Sequence, residues 1–239
     1  MWIQLKHGIA VSCIFLLSTG YQELRAQLNA DTVMAKREEA RAKANAEADK
    51  KAAEWVSSLQ LQDGAKQQRV SEAVATHLKA IRDWNNDHPF TAVPAGINPA
   101  TGNRMYELDR QVIINSAMPE AIHQNLMNVL NRELTPEQVE MILDKYTVGK
   151  VAFTLAGYKS IVPDLTMEEE TKILAYLKQA REQAVDYKSM KQISVIFEIY
   201  KTKCEQYLNS NGRNWRQLYK AYVDKTKEQK QPEKSKENK

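Results

Sequence analysis

Apolar positions recur along this chain at helical spacing, and no segment alternates as a strand would. Val70, Val74, Leu78 and Ile81 form one stripe. Ile122, Leu126, Val129 and Leu130 form a second, and Val139, Ile142, Leu143 and Tyr146 a third. Ile173, Leu174, Leu177 and Ala180 form a fourth. The longest runs through Ile193, Ile196, Phe197, Tyr200, Cys204, Tyr207 and Leu208, and Trp215, Leu218, Tyr219 and Tyr222 close the set. These stripes predict an all-α, single compact domain of about six or seven helices.

The punctuation agrees with the periodicity. Thr135-Pro136-Glu137-Gln138 offers an N-cap, a proline at the first helical position and a glutamine three residues on, which together make a capping box. Thr166 with Glu169 repeats the pattern, and Ser189 with Gln192 offers a third copy. Asn211-Gly212 predicts a left-handed stop to the long helix. From Val33 to Ala53 the chain is mainly Ala, Lys, Arg and Glu, with no apolar stripe to bury, so a solvated helix is expected ahead of the domain. One stretch breaks the rhythm. His88 to Arg104 holds Pro89, Pro94, Pro99, Gly96 and Gly102, and reads either as a functional loop or as an ordered crossover.

At the N-terminus, Lys6 precedes an apolar run from Gly8 to Leu17 and then Ser18, Thr19 and Gly20. This is the form of a secretory signal peptide, over 1–26, with cleavage after Ala26 or, alternatively, after Gly20. A buried N-terminal helix is the competing account. A lipoprotein reading at Ser12-Cys13 has too little apolar sequence before it. The remaining boundaries are a charged helical spacer over 27–53, the all-helical domain over 54–224, and a tail over 225–239 without apolar residues that should be disordered.

Composition narrows the classes. The chain has 239 residues, with 34 Lys+Arg against 30 Asp+Glu. Loss of Lys6, Arg25 and Glu23 with the leader leaves 32 cations against 29 acids, which gives no nucleic-acid footprint. Cys204 then stands alone, so no intrachain disulfide forms. No second apolar run approaches membrane-spanning length, so no stable membrane insertion is expected after cleavage. The expected protein is exported to the periplasm or the cell exterior, as a monomer or weak oligomer.

The order of these motifs carries a resemblance. Leu134-Thr135-Pro136-Glu137-Gln138-Val139 recurs loosely as Leu165-Thr166-Met167-Glu168-Glu169, followed by Ala180-Arg181-Glu182-Gln183-Ala184, Ile196-Phe197 and Tyr200-Lys201. Gly96-Ile97-Asn98-Pro99 with Gly102, Leu108-Asp109-Arg110 and Tyr207-Leu208 before Asn211-Gly212 complete it. The pattern resembles a family of secreted bacterial proteins of unknown function, all-helical and often encoded beside polysaccharide-degradation enzymes. The likeness covers about Trp55 to Tyr222. It implies a context and no catalytic residue. A weaker likeness, through Leu134, Thr135 and Gln138, is to the periplasmic chaperone family marked by Leu-Thr-x-x-Gln; Glu169 replaces Gln in the second copy.

Candidate chemistry is sparse. His77 and His88 lie eleven residues apart, about 16 Å along a helix, too far to share a metal. No His-x-x-x-His or Cys-x-x-Cys occurs, so no metal or other cofactor is expected. Cys204 lies on an apolar stripe and reads as a buried, inert thiol. Carboxylate pairs for glycoside cleavage could come from distant positions, with Glu107, Asp109, Asp144 and Asp164 near element ends. Rings with fixed polar donors suit a sugar or acidic-sugar ligand, because Arg forks grip carboxylates. The candidate ligand-binding residues are Arg104, Asp109 and Arg110 beside the irregular loop, with His123, Tyr200 and Lys201 further out. The leading reading is a non-catalytic, carbohydrate-binding accessory of polysaccharide utilisation. The alternatives are a polysaccharide hydrolase or lyase of unrecognised type, and a chaperone-like protein. Asp109 and Arg110 have a rival account in which they only pin the loop by an internal ion pair.

Overall fold

Thr135, Thr166 and Ser189 each open a helix where the sequence places one, and each closes a capping box. The Thr135 hydroxyl accepts from the Gln138 N–H at 3.3 Å, while the Thr135 N–H donates to Gln138 Oε1 at 3.0 Å. Replacing Thr135 with Ala should cost about 0.5–2 kcal/mol in a urea titration. Unchanged stability with a lost binding activity would show that this residue contacts ligand instead.

The computed structural model describes residues 8–98 and 102–234, with side chains described at Gln27, over 31–98 and over 102–229. Its helices are α1 (Gly8–Ser57), α2 (Gly64–Asp87), α3 (Glu107–Asn115), α4 (Glu120–Glu133), α5 (Pro136–Thr147), α6 (Lys150–Ile161), α7 (Met167–Ala184), α8 (Met190–Ser210) and α9 (Trp215–Lys234). A 3-10 turn spans Phe90–Ala92. Among the described residues no strand forms, and the one bridge pairs Ile97 with Arg104. The fold is therefore all-α, with more helices than the six or seven expected. No helix among the described residues is long and apolar enough to cross a membrane.

The chain divides into two units, residues 1–50 and 51–239. In the first, the described side chains of 31–50 leave none buried, as a helix of Ala, Lys and Glu without a stripe requires. Of the expected leader, residues 1–7 lie outside the described residues and 8–26 enter as backbone of α1. The tail needs a correction. Residues 225–234 continue α9, although the sequence there suggested disorder. Lys, Glu and Gln are good helix formers, and they prolong a helix already nucleated by Trp215, Leu218 and Tyr222. Residues 235–239 lie outside the described ones.

The second unit holds two apolar clusters. Ala52 and Val56 of α1 meet Val70 and Val74 of α2, Leu126 and Leu130 of α4, and Ile142 of α5. Tyr158 of α6 meets Ile173 and Leu177 of α7 and Ile196, Phe197, Cys204 and Leu208 of α8. Each predicted stripe supplies one side of one of these clusters, except that Trp215 only packs on the second from a partly buried position. Burial pushes the Cys204 thiol up to about 11, which keeps it protonated and inert.

Polar ties join the corners. Arg213, beyond the Gly212 turn (φ 84°), grips Glu169 from Nε at 2.9 Å and from Nη2 at 2.8 Å. The α5–α6 corner is tighter still. Val148 (φ 53°) and Gly149 (φ 66°) are both left-handed, an uncommon conformation for a β-branched residue.

Candidate functional site

A shared carboxylate organises a polar cluster of side chains from several elements in the second unit. Asp186 lies in the short strap between α7 and α8. Its Oδ1 accepts from Nε2 of His77 on α2 at 2.9 Å, and its Oδ2 accepts from Nδ1 of His123 on α4 at 2.9 Å. Nδ1 of His77 stands 3.2 Å from the Tyr146 hydroxyl of α5. Every group is satisfied when His77 donates through Nε2–H and accepts the phenolic proton at Nδ1. Trp55 of α1 abuts the Tyr146 ring edge-on, with centroids 4.8 Å apart.

The electrostatics follow from this geometry. Burial pushes the Asp186 carboxyl up, but the hydrogen bonds from His123 and His77, with the charge of His123, outweigh it and hold the carboxyl below its usual range. The hydrogen bond to Asp186 raises His123 against the opposing effect of burial. Burial holds the Tyr146 phenol well above its ordinary value. Among the described residues no group of His, Cys, Asp and Glu has the arrangement of a metal site.

The strap continues into a cleft. Tyr187 and Lys188, the two residues after Asp186, line an open cavity of about 710 Å³ with Trp55, Tyr146, Lys51 and Lys145. That volume is in the range of small-molecule sites. Asp144 is the one carboxylate on its wall among the described residues, and Arg181 neutralises it through a 2.7 Å bond. Arg82, also on the wall, is paired with Asp83 at 2.7 Å. Lys51 lies over the Trp55 ring at 4.8 Å, and Lys188 donates to the neutral Asn86 at 2.9 Å. The wall thus combines aromatic rings with lysines whose charge no wall carboxylate cancels. Such a surface suits an anion with an apolar face.

The residues singled out from the sequence are not gathered in one place. Arg104 is bridged to Ile97 within the loop. Asp109 caps α3, accepting from the Tyr106 N–H at 2.8 Å. Arg110 donates from Nε to the Val93 carbonyl at 2.7 Å and lies over the Phe90 ring. Tyr200 sits under Lys203 at 4.1 Å, and Lys201 pairs with Glu198 at 2.8 Å. His123 alone joins the Asp186 cluster. None of the six lines the cleft, and neither does any described residue of the segment from His88 to Arg104.

The described residues of that segment, 88–98 and 102–104, form a hydrogen-bonded crossover. The Asn98 N–H donates to the Asn103 carbonyl at 2.8 Å, Gly102 turns at φ 71°, and the 3-10 turn packs on α3. Pro99 and Thr101 lie outside the described residues. Arg110 pins the loop, as the rival account expected, but through a carbonyl and a ring and not through Asp109. Arg110→Ala should lower stability by about 1–2 kcal/mol. A measured loss of ligand affinity at an unchanged melting temperature would instead make it a ligand contact.

His77, Asp186, Tyr146 and the cleft lysines escaped the sequence reading. His77 and its partner Asp186 lie 109 positions apart. No local spacing signals such a pair.

Among curated proteins, none matches the chain. The pattern that defines the family DUF3826, proteins of unknown function, matches residues 45–228, a span slightly wider at both ends than the resemblance read from the motifs. The match covers most of the chain, and the chain belongs to that family.

Proposed function

We propose that the protein is exported and binds an acidic carbohydrate in the cleft, as a non-catalytic accessory of polysaccharide use. The observation that carries this reading is the cleft wall: the half-buried Trp55 ring, backed by the buried Tyr146 and Tyr187, beside Lys51, Lys145 and Lys188, facing one carboxylate that Arg181 already holds. Aromatic faces stack on the C–H surface of a sugar ring, and ammonium groups attract its carboxylates. Export is supported by the charged, apolar and small-residue order of 1–26.

Affinity electrophoresis of the purified protein in gels containing polygalacturonate, against gels containing neutral galactan, tests the ligand class. The expected result is retardation by the acidic polymer only, weakened by salt. Lys145→Ala with Lys188→Ala should weaken binding by about tenfold. Equal mobility in both gels overturns the reading. Terminal sequencing of the protein recovered outside the cytoplasm tests export: a start at Gln27 or Tyr21 is expected, and a retained Met1 refutes it.

A second reading, a polysaccharide lyase or hydrolase, has one observation in its favour. Tyr146, His77 and Asp186 form a hydrogen-bonded chain that ends on the cleft wall, with each base oriented by the next group. Against a hydrolase, the wall lacks a second carboxylate among the described residues. New reducing ends or an unsaturated uronate released from polygalacturonate, and lost in Tyr146→Phe, would establish the enzyme reading.

A further inference from the structure

The Asp186 cluster adjoins the cleft through shared and neighbouring residues. Asp186 is one residue from Tyr187 and two from Lys188, and Tyr146 belongs to both the cluster and the cleft. The cluster's charge is not fixed. With His123 neutral, the wall carries the negative charge of Asp186 just behind the site; with His123 protonated, the pair cancels. The Asp186 side chain is 20% exposed and that of His123 22%, so solvent screens this charge less than it would a surface one. His123 also meets solvent enough to exchange its proton.

We infer that occupation of the cleft by an acidic sugar is coupled to uptake of a proton by His123 of the Asp186 cluster. This rests on the acidic-carbohydrate reading of the cleft. The groups that bear on the cluster come from every element packed against it. Glu120 of α4 and Glu182 of α7 add negative charge near His123, with Glu182 Oε1 3.9 Å from its Nε2. His77 of α2 and Tyr146 of α5 complete the Asp186 side, and Tyr187 follows it in the strap. Lys145 and Lys188 lie on the cleft face. All the carboxylates near His123 favour its cationic form, and Asp186 is the one tied to the cleft wall. An anion in the cleft is repelled by Asp186 unless His123 neutralises it. Linkage makes the effect reciprocal: a bound anion raises the proton affinity of His123 by the factor by which the proton raises the anion's affinity.

Isothermal titration with trigalacturonate tests this, from about pH 6 to about pH 8.5, where the sugar carboxylates stay ionised. The probe is run in buffers of different ionisation heat to count protons. Expected is an affinity on the order of fivefold higher at the acid end, with net proton uptake on binding. His123→Gln keeps a donor to Asp186 and cannot titrate. It should bind with the wild-type alkaline affinity at every pH and take up no proton. If that variant does not fold, the imidazole resonances of wild-type His123 serve in its place, with a titration midpoint expected to rise when trigalacturonate is added. Binding that is flat with pH and free of proton uptake overturns the coupling and leaves the binding site standing. An unchanged pH slope in His123→Gln, or an unmoved midpoint, also overturns it. No binding at any pH overturns the cleft reading and the coupling together.

Discussion

Asp186→Ala should be the most damaging substitution in the protein, with a loss of roughly 3–5 kcal/mol. The carboxylate is the common acceptor of two histidines from α2 and α4, and the strap that carries it joins α7 to α8. Alanine would leave the His77 Nε2–H buried without an acceptor and would strip His123 of its counter-charge. Asp186→Asn keeps the shape and one carbonyl acceptor, so it should lose less. Urea titrations of the three proteins at constant slope would rank them. A pH series adds a signature. The lowered Asp186 carboxyl contributes stability that is present above its unfolded value near 3.8 and is lost as pH falls through the lower folded value. The raised His123 contributes stability that is full below its unfolded value near 6.5 and is lost as pH rises through the higher folded value. Wild type should therefore weaken on both sides of a mildly acidic optimum. Asp186→Asn should lose most of the decline on the alkaline side, and a variant that retained it in full would refute the assignment.

Glu169→Ala should cost about 3 kcal/mol. This carboxylate is 1% exposed and collects four donors: the Thr166 N–H at 2.9 Å, the Asn211 amide at 3.1 Å, and Arg213 Nε and Nη2 at 2.9 and 2.8 Å. The bonds from Arg213, chiefly, hold its carboxyl at about 2. It therefore does more than complete a capping box, because it joins the start of α7 to the α8–α9 corner. Thermal denaturation should show a larger loss for Glu169→Ala than for Thr166→Ala, which removes the cap alone. Equal losses would mean that the Arg213 contacts contribute nothing.

The comparison of caps and ties shows what local sequence encodes. A capping box spans four residues and a stripe repeats every turn, so α2, α4, α5, α7, α8 and α9 were legible from spacing. The other two helices of the domain, α3 and α6, carry no such stripe. In α6, Val151, Phe153, Leu155, Tyr158 and Ile161 are spread around the helix, with Phe153 largely exposed, so no single face stands out. In α3, nine residues leave only Ile114 and Asn115 buried. The candidate site was less legible for a physical reason. Its parts are single residues on five elements, and each is unremarkable in its own neighbourhood: a histidine on an apolar stripe, an aspartate after a helix end, lysines among many. Their meaning arises from contacts between positions such as His77 and Asp186 that share no local context. The loop from His88 to Arg104 is the opposite case. Proline and glycine pointed to an irregular path, which its described residues have, but those residues lie away from the cleft.

The separation of the interior into two apolar clusters governs how this protein should come apart. Each cluster is built mainly on its own helices, and the seam between them combines apolar contact, at Val185 beside Asp186, with discrete polar ties: Asp186 to α2 and α4, Arg181 of α7 to Asp144 of α5. Part of the coupling between the halves therefore rests on a few titratable groups. Acid that protonates Asp186 should loosen that coupling, which makes the all-or-none character of unfolding itself depend on pH.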